Sequence, residues 1–502
     1  MKHYNRLRLL TVILILSVTV SVVLSSCSDG SDTPNDNAGV NQNAESGAES
    51  IAETEPVITY DVPDMDCDGY EFTVMVRESY LGVYWVTNDV FADVQTGEPI
   101  NDAVYIRNRL LEEKFNININ EVIKGDMPGA VQMSIQAGDD DYDVCYPIMQ
   151  NAGSMIQRGH LINLYDVPHM NFDKPWWDKT INDTLTIGNK LYAAAGSITM
   201  MTNDATWAVL FNKDLTEGFA LEDHYQIVKD GKWTLDVLYT NSKAATRDLN
   251  GDGEITETDQ WGAVHQHECA FTYYAASGQK AVVKNSDDLP VLDFNNDRTI
   301  SVLDKVIAFM SDGEAQIKAD DYSGKYANPW DEITTKVFNE SRALYLITNF
   351  DMVKTLRNME ASFGIIPLPK YDAAQTEYYN TMQYNNATLI CIPLSASNLE
   401  RSGAILEAWA AESVSTVTKA YYDITLKGKV MRDDESSEML DVIFTTRVID
   451  QGIFFNWSNM SGFFTGFSNR KTMDFSSQYD KNESKWLAEM EKTVTAITES
   501  NV

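Results

Sequence analysis

The sequence predicts an α/β protein built in two or more lobes on mixed, mainly parallel sheets. Three observations carry this expectation. The chain has 502 residues, 44% hydrophobic and 23% charged, which is long enough for more than one core and too apolar for a disordered chain. Short β-rich runs alternate with amphipathic helical patterns, the arrangement from which parallel sheets are made. No internal repeat of fixed period is present, which removes solenoids and propellers.

Taken in chain order, "YEFTVMVRE" (70–78) reads as the first strand, its aromatic and β-branched residues alternating with polar ones. "NDAVYIRNRLLEEKFNI" reads as a helix, with Asn101 or Asp102 as N-cap and Val104, Leu111 and Phe115 at helical spacing. "YDVCYPI" (142–148) is a short apolar strand. "RTISVLDKVIAFM" repeats the helical pattern, with Ile300, Leu303, Ile307 and Met310 on one face. "ASFGIIPLPKYD" gives a strand stopped by Pro367 and Pro369, "ATLICIPL" gives another, and "SGAILEAWAAESVSTVTKAYYDITL" a long helix.

The N-terminus carries an address. Lys2, Arg6 and Arg8 precede an apolar run, 9–24, that ends in "LSSC". A basic start, an h-region too short to span a bilayer and small residues before a cysteine resemble a bacterial lipoprotein signal, cleaved before Cys27 with lipid on its thiol. An ordinary signal peptide or anchor helix with a chance cysteine is the alternative. Residues 1–26 are therefore expected to be removed. Residues 27–58, rich in Ser, Asn, Gly, Asp and Glu, cannot bury enough apolar surface to order themselves and should tether the body with a reach of about 30 Å. Cys67, Cys145, Cys269 and Cys391 are scattered without a CxxC pair, so four free thiols are expected.

Charge excludes partners. With 39 basic and 74 acidic residues, the net charge of −35 repels phosphate backbones and anionic lipid. No nucleic-acid partner is expected, and contact with membrane is expected through the lipid anchor alone.

"DLNGDGEITETD" (248–259) has the spacing of a calcium loop. Asp248, Asn250 and Asp252 stand at positions 1, 3 and 5, Gly253 at position 6 permits the turn, Glu254 offers its carbonyl at position 7 and Asp259 closes position 12. Alternating hard oxygen donors suit Ca²⁺, and a solvated acidic turn is the plainer alternative. Dockerin modules carry two such loops, each followed by a helix. This one stands alone and runs into "QWGAV", which looks like strand, so a structural brace is the expectation. "DFNNDRTISVLD" mimics the spacing but has Arg298 where glycine is wanted, and it reads as a turn and helix start. "HQHEC" sets His265, His267 and Cys269 at alternating positions. Without a second ligand cluster, a zinc or copper site is the weaker reading.

A family resemblance emerges from several tracts in order: "RGHLINLYDVP" with "KPWWD", "LFNKDLTEGFALEDHYQIVKDGKWTLDVLYTNSKAATRDLNGDGEITETDQWG", "FGIIPLPKYD" with "EYYNTMQYNN", and "EMLDVIFTTRVIDQGIFFNW". Together with the lipobox they resemble the extracellular solute-binding lipoproteins of carbohydrate-type ABC transporters. The resemblance implies a periplasmic-binding-protein type II fold of two α/β lobes joined by a hinge, with ligand held between them. By analogy the chain should cross near Met200–Ala205 and again near Thr348–Asp351. That assigns 59–202 and 350–415 to lobe 1, and 203–349 and 416–502 to lobe 2. It further implies capture of a sugar or oligosaccharide outside the cytoplasmic membrane, delivery to an ABC permease, a structural calcium of the kind some relatives carry, and a monomer.

A sugar cleft needs flat apolar faces for rings and planar polar groups for hydroxyls. Tyr80, Tyr84 and Trp85 lie just past the first strand, where open α/β sheets carry ligands. Asn203 and Trp207 lie at the first expected crossing, Asn349 and Asp351 at the second, and "FFNWSNM" offers Trp457. Arg77, Arg342 and Arg357 lie near the same elements. Trp176, Trp177 and Trp409 sit in denser patterns and are expected to pack. No GxSxG elbow, P-loop or HExxH occurs, so no enzyme is expected. A lipid-anchored polysaccharide hydrolase or lyase and a calcium-dependent adhesin are the rival readings.

Overall fold

The first sheet grows from the run that marks the first strand. In the computed structural model, which describes residues 58–80, 84–356, 359–422 and 434–499, β1 (Tyr70–Arg77) lies between β2 (Ile117–Lys124) and β3 (Val144–Tyr146), all parallel. Phe72, Val74, Met75 and Val76 are fully buried, because a central parallel strand is covered on both faces. The helix Pro99–Phe115 connects β1 to β2 and buries Val104, Leu111 and Phe115. It starts earlier than expected: Glu98, not Asn101 or Asp102, caps it by accepting from Asn101 N at 2.8 Å. Pro99 holds a helical φ at the first position, and Asp102 instead receives the amides of Thr96 and Gly97.

The second sheet has five strands. β4 (Trp207–Asn212) and β5 (Trp261–His265) precede a small hairpin, β6 (Val282–Lys284) with β7 (Pro290–Leu292). β8 (Gln316–Lys318), β9 (Ala343–Asn349) and β10 (Phe363–Ile366) complete the set, in the order β10-β4-β9-β5-β8. β9, β5 and β8 are mutually parallel, whereas β4 runs antiparallel to both its neighbours. The helix Asp297–Ser311, capped by Asn296, buries Leu303, Ile307 and Met310 and half-buries Ile300, as its period requires.

The pairing of β10 corrects the expected second crossing. Phe363–Ile366 zips onto β4, so the chain is still in the second sheet well past Thr348–Asp351. It returns along 381–387. There Thr206 and Met382 form a bridge, Trp207 N donates to Thr381 O (2.9 Å) and Gln383 N to Ala205 O (2.8 Å). The two crossing segments thus run side by side. Beyond them, "ATLICIPL" threads into the first sheet's core as an extended segment bridged to Cys145, Ile148, Leu161 and Ala194, without forming a full strand. The helix Leu399–Ser413 then buries Trp409 against Arg107, whose guanidinium lies 4.6 Å from the ring centroid. Trp176 and Trp177 are buried too, and their indole N–H groups both donate to Glu407. All four cysteines among the described residues are free. Among those residues no helix is long and apolar enough to cross a membrane. Cys27 and the expected signal and tether lie outside the described residues, apart from the tether's last position.

Candidate functional site

A cavity of about 780 Å³ opens where the C-terminal ends of both sheets meet, the place where open α/β sheets carry ligands. Its first wall follows β1. Arg77 ends the strand. Tyr80 and Tyr84 exchange backbone hydrogen bonds at 2.9 and 3.0 Å, with rings 6.5 Å apart. Trp85 comes next, 9% exposed and in the left-handed region at φ 56°. A bulky residue there is strained, and such strain concentrates at ligand sites.

The second wall is built from loops that leave β5, β8 and β9. After β5 come Gln266, His267 and Glu268; after β8, Asp320; farther on, Asn328 and Trp330; after β9, Asn349 and Asp351. Asn349 accepts from Met352 N (3.3 Å), capping the short helix Phe350–Thr355, and so is held at the rim. The helix Met460–Arg470 adds Gly462, Thr465, Gly466 and Asn469, which recur every three or four residues on one face. A Cβ at 462 would sit 2.2 Å from the Asn459 side chain, so a larger residue there would displace Asn459.

Between the walls lies the returning crossing segment. Gln383 Oε1 accepts from Asn349 Nδ2 (3.0 Å) and Asn386 Nδ2 (2.9 Å), while its Nε2 donates to Glu268 Oε2 (2.9 Å). Arg77 Nη1 donates to Asn386 Oδ1 at 3.1 Å. The Tyr84 hydroxyl donates to Asp331, which also accepts from Asn328 Nδ2 at 2.7 Å, so the first wall is latched to the second. Burial, with a smaller push from Asp320, raises the Glu268 carboxyl to about 7, against the opposing hydrogen bond from Gln383. Burial and the charge of Asp204 likewise raise Asp351 to about 6, with Lys354 opposing.

Of the residues singled out from sequence, Tyr80, Tyr84, Trp85, Asn349 and Asp351 line this cavity, as does Arg77. Three others do not. Trp207 is fully buried in the middle of the second sheet, and Trp457 is fully buried, stacked on Phe455 at 5.2 Å with its N–H on Thr493. Asn203 accepts from Arg447 Nη1 (2.6 Å) and faces a separate cavity of about 170 Å³ beside Trp176 and Tyr422. For Asn203 and Trp207 the reason is shared. With the crossing at 205–207 and 381–387, residue 203 points to the back of the hinge, and the strand beginning at Trp207 dives into the core. Arg342 braces the 248–259 loop through the carbonyls of Glu257 and Asp259, and Arg357 lies outside the described residues. The residues sequence reasoning missed are mainly amides: Gln266, Asn328, Gln383, Asn385, Asn386, Asn459 and Asn469, with Glu268, Asp320 and Trp330. "QYNN" carried a signal, and "HQHEC" another once β5 is known to end at His265.

The alternating donors of "HQHEC" do not converge on a metal. His265 pairs with Gln316 (2.8 Å), burial holds its imidazole down at about 3, His267 reaches Ser468 and Asp321, and Cys269 is buried in the next helix. In the 248–259 loop, Gly253 takes φ 88°. Asp248 accepts from the amides of Gly251 and Gly253, and Asp252 from Glu254 N. Asp259 is buried and accepts from Leu249 N and Thr256 N. Among the described residues no group of three or more His, Cys, Asp or Glu side chains is gathered as a metal set.

No family model and no curated protein sequence matches the chain. Solved structures do. An ABC substrate-binding protein from Listeria monocytogenes in complex with cycloalternan aligns with TM-score 0.53 at 14% identity, covering 83% of this chain and 99% of its own. A cyclo/maltodextrin-binding protein complexed with maltotetraose gives 0.53 at 14%, over 86% and 99%. The maltose/maltodextrin-binding domain of Bdellovibrio bacteriovorus MalE bound to maltotriose gives 0.50 at 13%, over 86% and 99%. The fold is that of the sugar-binding proteins of ABC transporters.

Proposed function

We propose that this protein is the extracytoplasmic receptor of an ABC transporter, capturing a sugar or oligosaccharide in the cavity between its sheets and delivering it to a permease. The observation that carries the reading is an aromatic wall facing an amide-rich wall across a cavity of about 780 Å³. Rings stack on the first, and hydroxyls are read by the planar groups of the second. Ligand contacts to both walls favour the closed arrangement, and the permease reads that surface. The resemblance to ABC sugar-binding proteins supports the same assignment. A monomer anchored by lipid on Cys27 completes the reading.

A thermal-shift screen of the protein against mono- and oligosaccharides tests it. A ligand at ~100 times its dissociation constant adds about 2.7 kcal/mol of stability, enough for a clear shift. A sugar bound and recovered intact supports the receptor, and a sugar recovered cleaved refutes it. We propose in addition that the 248–259 loop holds Ca²⁺ as a brace, on the strength of its spacing and its buried closing residue Asp259. Chelator should then lower the melting temperature by a few degrees while leaving sugar affinity unchanged, and an unmoved melt rejects the brace.

A further inference from the structure

The second wall holds two carboxyls, Glu268 and Asp320, with which no cation among the described residues forms an ion pair. Glu268 and Asp320 follow adjacent strands and are drawn together through His267, whose backbone N–H donates to Asp320 Oδ2 at 2.8 Å. Among the described residues the Glu268 carboxylate accepts one side-chain hydrogen bond, from the Gln383 amide on Oε2. Among the described residues Glu268 Oε1 and Asp320 Oδ1 have no partner, and neither residue has an ion pair. Cations nearby are engaged elsewhere. Lys318, two positions before Asp320, is buried, donates to Met310 O at 2.6 Å and pairs with Asp321 at 3.7 Å, with Asp320 a weaker charge partner. The His267 ring lies between Ser468 (2.8 Å) and Asp321 (3.1 Å). Arg470, at the end of the cavity helix, pairs with Asp474 at 3.1 Å. Arg77, the one arginine lining the cavity among the described residues, is on the opposite wall, donating to Asn386 and facing Asp351.

We propose that the saccharide held here carries a protonated amine, as a hexosamine residue does, seated against the Glu268 and Asp320 carboxylates. The proposal rests on the sugar-receptor reading and narrows it. An ammonium donates up to three hydrogen bonds and carries a positive charge, so it can serve an oxygen of each carboxyl, whereas a hydroxyl donates one hydrogen bond and brings no charge. Burial, with a smaller push from Asp320, raises the Glu268 carboxyl, and a cation seated beside it would favour its charged form. Uronic or sulfated sugars would be repelled by the same pair.

Titration calorimetry with the purified protein decides this, using glucosamine oligomers, their N-acetylated counterparts, and neutral and uronic oligomers of equal length, at a pH where the amine is protonated. The amine form is expected to bind about tenfold tighter than its acetylated and neutral counterparts, and the uronic form weakest, since hydrogen bonds to charged groups exceed neutral ones. In Glu268→Gln and Asp320→Asn that ratio should fall toward one. Circular dichroism melts verify that both isosteric variants are folded. Equal affinity for amine and neutral oligomers, or an amine preference that survives both substitutions, overturns the proposal and leaves the sugar receptor standing. If no oligomer binds but an aliphatic diamine does, the sugar reading itself falls and takes this one with it.

Discussion

The two walls of the cavity come from two sheets and are made differently. The first follows a single strand, β1, and presents Tyr80, Tyr84 and Trp85 with one charge, Arg77. The second is assembled from loops after β5, β8 and β9 and from the helix Met460–Arg470, and it presents amides and carboxylates around Trp330. Aromatic faces bind any ring with an apolar side and scarcely discriminate among sugars. Amides and carboxylates distinguish hydroxyl orientations because an unmatched buried polar group is costly. Affinity should therefore reside mainly in the first wall and selectivity in the second. Neither wall encloses a ligand alone, which is why closure and recognition are one event.

The sharpest way to break the contrast is at Trp85. It is 9% exposed and anchors the aromatic wall in the core, so Trp85→Ala should cost about 3–5 kcal/mol in denaturant unfolding. A cost under about 1 kcal/mol would mean the first wall is not seated in the core at all. Next in size is the charge of the second wall. Glu268 titrates near 7, above its usual value, so the folded state favours the protonated form. Its stabilisation is complete at low pH and is lost as pH rises from about 4.5 through 7. Glu268→Gln should remove that slope, leaving the variant about 3 kcal/mol more stable than the parent near pH 8 and no different below about pH 4.5. Urea titrations at several pH values check this, and parallel stability profiles would refute it.

Smaller effects separate affinity from selectivity. Tyr80 is 49% exposed, so Tyr80→Ala should leave stability nearly unchanged and weaken binding about tenfold, by a similar factor for every sugar that binds. A loss confined to one epimer would place selectivity on the wrong wall. Asn386, held between Arg77 and Gln383, should show the reverse. Asn386→Ala should cost about 1 kcal/mol in binding, unequally among epimers. Calorimetry with an epimeric pair measures both.

The sequence was most legible where a local pattern suffices. The alternation of 70–78 marked β1, and the rule that ligands gather past strand ends led to Tyr80, Tyr84 and Trp85 on the cavity. It misled where one residue type serves two uses. Trp207 and Trp457 have the composition of a sugar platform, but each is fully buried. Aromatic rings are as useful in a core as in a cleft, and neighbours in sequence do not say which side of a strand is covered.

What the sequence by itself determined was the set of parts: α/β alternation, helix faces, a loop with calcium spacing and a strongly acidic chain. Those follow from periodicity, propensity and charge, which act over a few residues or over the whole composition. Tertiary structure alone decided which strands pair, with β10 added antiparallel to β4 so that the chain crosses back at 381–387. It alone brought Glu268, Asp320, Gln383 and Asn459 to one cavity from four distant stretches. A solvated amide in a loop and an amide aimed at a ligand look alike in sequence. Only the convergence of separate segments, each carried there by burial of its own strand or helix, makes them a site.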